Sequence, residues 1–112
     1  MSADALPAIS ADAAASADDN VLLDVREHDE WMSGHIPGAI HIPMGELMSR
    51  VGELDRGKRI VCICRSGGRS ARITMWLGQQ GFDAVNMTGG MHAWASGHHQ
   101  VVSDAGNTGT VI

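Results

Sequence analysis

A chain of 112 residues, 44% hydrophobic and 19% charged, is the size of one domain and can bury one core, and nothing in it suggests a second. Its net charge of −5 argues against nucleic acid as the main partner, because such binding needs a basic surface that neutralises phosphates. Residues 1–20 hold no Lys or Arg, and Asp4 and Asp12 interrupt any apolar run. Neither a secretory signal nor a membrane span is read there, so a cytoplasmic location is expected.

In chain order, Ser10 can cap a short helix in the small, acidic first segment. Asn20–Val25 contains a continuous apolar run ending near Asp24 and predicts a buried strand. Residues 27–33 carry helix formers and stop at Gly34; Pro37 and Gly38 then mark a turn, and Ala39–Ile42 predicts a second short strand. Met44, Leu47, Met48, Val51 and Leu54 recur at spacings of three and four, predicting a helix over about 44–54.

Arg59–Cys64 is the clearest strand, β-branched and apolar on both faces, as expected in the middle of a parallel sheet. A helix is predicted from about Arg69 to Gln80, with Gly81 ending it, followed by a strand over Ala84–Met87. Gly89-Gly90 opens a last short helix carrying Met91 and Trp94. Strand and helix alternate with short connections, the pattern of a parallel sheet flanked by helices. One domain over residues 1–95 is expected, with 96–112 as a flexible or loosely docked tail rich in Gly, Ser and His.

Chemistry concentrates where the apolar strand ends. Cys64 meets a loop containing Gly67 and Gly68 and then a helix, and Arg65, Arg69 and Arg72 fall within eight residues. Loop amides, the helix N-terminus and the two loop arginines all favour thiolate over thiol. An ordinary thiol is only about 3% ionised at pH 7, so a drop of two units in pKa would make it mostly thiolate. The same cradle suits a small anion. An isolated cysteine at a strand end reads as a small core residue; the run Cys64-Arg65-Ser66-Gly67-Gly68-Arg69-Ser70 favours function. Cys62, inside the strand, reads as inert packing, and two cysteines this close form no disulfide framework.

That run closely resembles the active-site loop of single-domain rhodaneses, the thiosulfate sulfurtransferase family. Leu23-Asp24-Val25-Arg26-Glu27, Gly34-His35-Ile36-Pro37-Gly38-Ala39 and Gly89-Gly90-Met91-His92-Ala93-Trp94 agree with the same family, in the same order. The resemblance implies an α/β fold, a mostly parallel five-stranded sheet with helices on both faces. It implies Cys64 as the sulfur-accepting nucleophile and Arg65, Ser66, Gly67, Gly68 and Arg69 as the donor-binding loop. In related folds, phosphatases and arsenate reductases place five residues between cysteine and arginine. Here four separate Cys64 from Arg69, which matches the shorter loop linked to sulfur transfer.

The expected reaction moves sulfane sulfur through a persulfide on Cys64, with no metal or organic cofactor. A small anionic donor such as thiosulfate would supply it, and a thiol, cyanide or a sulfur-relay protein would accept it. The alternatives are a regulatory, protein-binding rhodanese-like module and, less favoured, a phosphatase or arsenate reductase. Asp24, Arg26 and Ser70 are candidate supporting residues, although Asp24 and Arg26 equally suit a structural ion pair. His35 reads as architectural, and His41 stands where the family often carries asparagine, which argues against catalysis. Trp31, Trp76 and Trp94 and the methionines at 44, 48, 75 and 91 are expected in packing roles.

Overall fold

The computed structural model describes residues 6–112; residues 1–5, part of the expected domain, lie outside the described residues. The first half of the chain forms β1 (Ala8–Ile9), α1 (Ala11–Ser16), β2 (Asn20–Asp24), α2 (His28–Ser33) and β3 (Ile40–His41). The second half forms α3 (Leu47–Arg50), β4 (Arg59–Ile63), α4 (Gly68–Gln79), β5 (Ala84–Met87) and α5 (Gly90–Ser96). The five strands make one sheet in the order β1-β5-β4-β2-β3, and every pairing is parallel.

The apolar character of β4 on both faces follows from its central place between β2 and β5. Successive side chains leave a strand on opposite faces. Ile60, Cys62 and Cys64 therefore join Leu47, Leu54, Ile73 and Leu77 in one core layer, under α3 and α4. Val61 and Ile63 join Ala11, Ala14, Met91 and Trp94 in the other, under α1 and α5.

Local signals explain several helix ends. The Ser10 hydroxyl accepts the Ala13 amide at 3.0 Å and caps α1. Glu27 and Glu30 close a reciprocal capping box on α2. Gly81 takes φ +90 just beyond α4, the left-handed stop that glycine adopts without strain.

Three expectations are corrected. β1 was not foreseen, because two residues carry no periodicity; it pairs with β5 through Ala8 and Ile9. The predicted helix over 44–54 is α-helical only over Leu47–Arg50, with 3-10 turns on either side that hold Gly45 and Gly52. Met48 and Met75 are 76% and 58% exposed rather than core fillers. Met48 falls about 100° around the helix from Leu47, off the inward stripe. Met75 lies away from the Ser70-Ile73-Thr74-Leu77 face that α4 buries. Met44 is half-buried and Met91 fully buried.

α5 ends at Ser96, so the boundary drawn at residue 95 falls in its last turn. The segment beyond it runs back to the turn after α2. His35 and Val102 exchange backbone hydrogen bonds of 2.9 Å each, and the Thr110 amide donates to Ser33 O at 2.8 Å. Val101 and Val111 pack, half-buried, against the layer that contains Trp94.

Candidate active site

Cys64 stands immediately beyond β4, where the sheet ladder stops and the backbone turns into α4. The first amides of an α-helix have no carbonyl partner within it, so they are available to an acceptor beside them. The Gly67 amide donates to Cys64 Sγ at 3.1 Å, and the Ser70 hydroxyl lies 3.3 Å from the same sulfur. Gly67 holds φ +106, in the left-handed region that a side chain would strain.

The loop is fixed from behind by the start of α5. The Met91 amide donates to Cys64 O at 2.8 Å and the His92 amide to Arg65 O at 3.0 Å. Gly90, at φ +57, permits this approach: a Cβ there would sit 2.4 Å from Cys64 O and 2.7 Å from the Arg65 carbonyl carbon.

Asn86, on β5, completes the support. Its Nδ2 donates to Gly67 O at 3.2 Å, which orients its Oδ1 toward the Ser70 hydroxyl, 2.6 Å away. Ser70 has one proton for two acceptors, Asn86 Oδ1 and Cys64 Sγ. A protonated thiol can donate to Ser70 while Ser70 donates to Asn86; a thiolate draws the hydroxyl to itself. Sequence reasoning passed over Asn86. Its signal was a single amide in an otherwise apolar strand.

Burial is the largest single influence on the Cys64 thiol and pushes its pKa up. The Ser70 hydroxyl and the amides of Ser70, Gly67 and Ser66 together outweigh it, so the thiol sits below its ordinary value. Cys62 has no amide donors. Burial pushes its thiol up to about 11, opposed only by the Thr74 hydroxyl.

The two loop arginines differ. Arg65 is exposed and makes no salt bridge or side-chain hydrogen bond among the described residues. Arg69 is held by Glu30 in a bidentate pair, Nη1–Oε1 at 2.7 Å and Nη2–Oε2 at 2.8 Å. Glu30 was not singled out from the sequence, because its partner lies 39 residues away. The Arg69 hydrogen bonds hold its carboxyl at about 2, against the opposing pull of burial. Ser66 and Gly68 are exposed at the mouth of the loop.

Asp24 and Arg26 form a buried ion pair at 2.7 Å. Arg26 also donates to Gly34 O at 2.7 Å, so the pair ties the end of β2 to the turn after α2, and neither residue hydrogen-bonds the sulfur. His41 Nε2 donates to Arg26 O and His35 Nδ1 to Trp31 O, each at 2.7 Å. Trp31, expected only to pack, stacks on both imidazoles, with ring centroids 3.6 Å from His35 and 4.8 Å from His41.

The chain matches the Rhodanese-like domain family model over residues 8–97. YtwF of Bacillus subtilis is 49% identical over 73 residues, covering 65% of this chain and 71% of its own length. The sulfurtransferase of Allochromatium vinosum is 37% identical over 93 residues, covering 82% of this chain and 87% of its own. Among solved structures, a rhodanese-related protein from Thermoplasma volcanium superposes with TM-score 0.83 at 34% identity, over 86% of this chain and 97% of its own. With a matching family model, a matching parallel sheet and relatives over most of its length, the chain belongs to the rhodanese-like family.

Proposed function

We propose that the protein is a sulfurtransferase that carries sulfane sulfur on Cys64. The observation that carries this reading is the pair of donors on its sulfur, the Gly67 amide at 3.1 Å and the Ser70 hydroxyl at 3.3 Å. They favour the thiolate, which is the nucleophile, and they can hold the terminal anionic sulfur of a persulfide afterwards. The sulfurtransferase of Allochromatium vinosum supports the same reaction class.

The reaction is a double displacement. The Cys64 thiolate attacks the outer sulfur of thiosulfate, a new S–S bond forms, and the old S–S bond breaks with its electron pair leaving on sulfite. A thiolate or cyanide acceptor then attacks the outer persulfide sulfur, and the Cys64 thiolate departs. Arg65 supplies positive charge for the incoming anion, Arg69 is already paired with Glu30, and the amides of Ser66 and Gly67 line the cradle. The four-residue spacing to Arg69 leaves a smaller loop than a tetrahedral oxyanion of a phosphatase requires.

The deciding experiment is intact-protein mass after thiosulfate and then after cyanide, on the native chain and on Cys64→Ser. One added sulfur atom is expected on the native protein alone, lost again with cyanide. A folded, reduced native protein that gains no mass would overturn the thiosulfate step and favour a protein-binding module.

A further inference from the structure

Two full positive charges flank the loop in sequence, yet only one is uncompensated in the fold. Arg65 is exposed without a partner among the described residues, whereas both Arg69 Nη atoms are engaged by Glu30 at 2.7 and 2.8 Å. Glu30 is itself firmly placed: its Oε1 also accepts the Glu27 amide at 3.0 Å, and its side chain is only 13% exposed. A carboxylate that grips guanidinium with both oxygens occupies the fork that a sulfonate group would use. A donor that seeks Arg69 must compete with a carboxylate already in place.

Building on the sulfur-transfer reading of Cys64, we propose that Glu30 sets the charge selectivity of the donor site. By engaging Arg69 it leaves Arg65 as the one loop arginine without a partner among the described residues, and so favours singly charged over doubly charged sulfur donors.

Two donors isolate the charge. Thiosulfate is a dianion, and methanethiosulfonate is its monoanionic analogue, with methyl in place of one oxygen. In both, Cys64 takes the outer sulfur; the S–S bond breaks, and its electron pair leaves on sulfite or on methanesulfinate. The quantity to measure is the ratio of kcat/KM for thiosulfate to that for methanethiosulfonate. Glu30→Gln keeps an oxygen for the Glu27 amide, so α2 retains its cap while Arg69 regains an uncompensated charge.

That substitution should raise the ratio roughly tenfold at low ionic strength. Arg69→Gln, which leaves Glu30 unopposed, should lower it severalfold, and the double variant should return it to within about twofold of native. A purely structural Glu30 would slow both donors equally in Glu30→Gln and leave the ratio unmoved, which overturns the proposal. Unchanged selectivity in Arg69→Gln would overturn it independently. No uptake from either donor by the native protein would instead sink the transfer reading itself, and this proposal with it.

Discussion

Cys62 and Cys64 lie two residues apart in the same core layer, and they are 0% and 1% exposed. Burial raises both thiols, the more deeply enclosed Cys62 further, yet one is pushed up to about 11 and the other ends below its ordinary value. Much of the difference lies in what the backbone around each is free to do. Cys62 sits within the ladder, paired across to Leu23 and Asn86, so the amides around it are spent on strand carbonyls. Cys64 is the first residue past the strand, where a helix begins and amides without helical partners turn toward the sulfur. The lowered thiol of Cys64 comes from donors at the end of secondary structure.

The harshest way to break that contrast is to move the loop. Gly90→Val places side-chain carbon where only 2.4 Å separates it from Cys64 O, at a φ that valine does not tolerate. Losing the backbone contacts from Met91 and His92 should displace the loop by about 1 Å. The rate of persulfide formation should fall roughly a hundredfold. Cys62, away from that contact, should remain unreactive to iodoacetamide until the protein is unfolded. Native-rate sulfur uptake in this variant would mean that loop position does not control the sulfur.

A gentler change removes one donor. Ser70→Ala takes the hydroxyl from Cys64 Sγ and leaves Asn86 Oδ1 without its partner. The Cys64 pKa should rise, read from thiolate absorbance against pH, and transfer at pH 7 should slow by about tenfold. Raising the pH should recover the rate, which a misfolded site would not allow. A depressed thiol pKa contributes stability above the unfolded-chain pKa that is lost as pH falls through the folded value. The stability deficit of Ser70→Ala should therefore widen toward alkaline pH, on top of about 1–3 kcal/mol for the orphaned amide oxygen.

The same contrast explains what could be read in advance. β4, α4 and the loop between them were legible because their signals are contiguous: an apolar run, a glycine pair, a helical stripe ending at Gly81. Asn86 and Glu30 were not, since each reaches the site only when distant segments pack, β5 beside β4 and α2 against the loop. Met48 misled for a related reason. Its spacing fitted a long helix, and the glycines at 45 and 52 confine the α-helix to about one turn. Contacts made by neighbours in sequence could be inferred, and those made by neighbours in space could not.

The smallest expected effect falls on Cys62. Cys62→Ala should leave sulfur transfer within about twofold of native and cost roughly 1–2 kcal/mol at neutral pH for the core volume removed. Its signature belongs at high pH. The folded thiol titrates at about 11 against an ordinary 9.0, so the unfolded chain ionises first. Native stability should consequently fall as pH rises between those values, by about 3 kcal/mol. The chain has no Tyr, Lys58 is its one lysine, and Cys64 adds no slope once both of its states are ionised. Denaturant unfolding across that range should show the loss in the native protein and a nearly flat line in Cys62→Ala. An equal slope in both would mean that Cys62 ionises in the fold as easily as out of it. The two cysteines would then differ in reach rather than in acidity, and the absence of free amides along the strand would no longer set them apart.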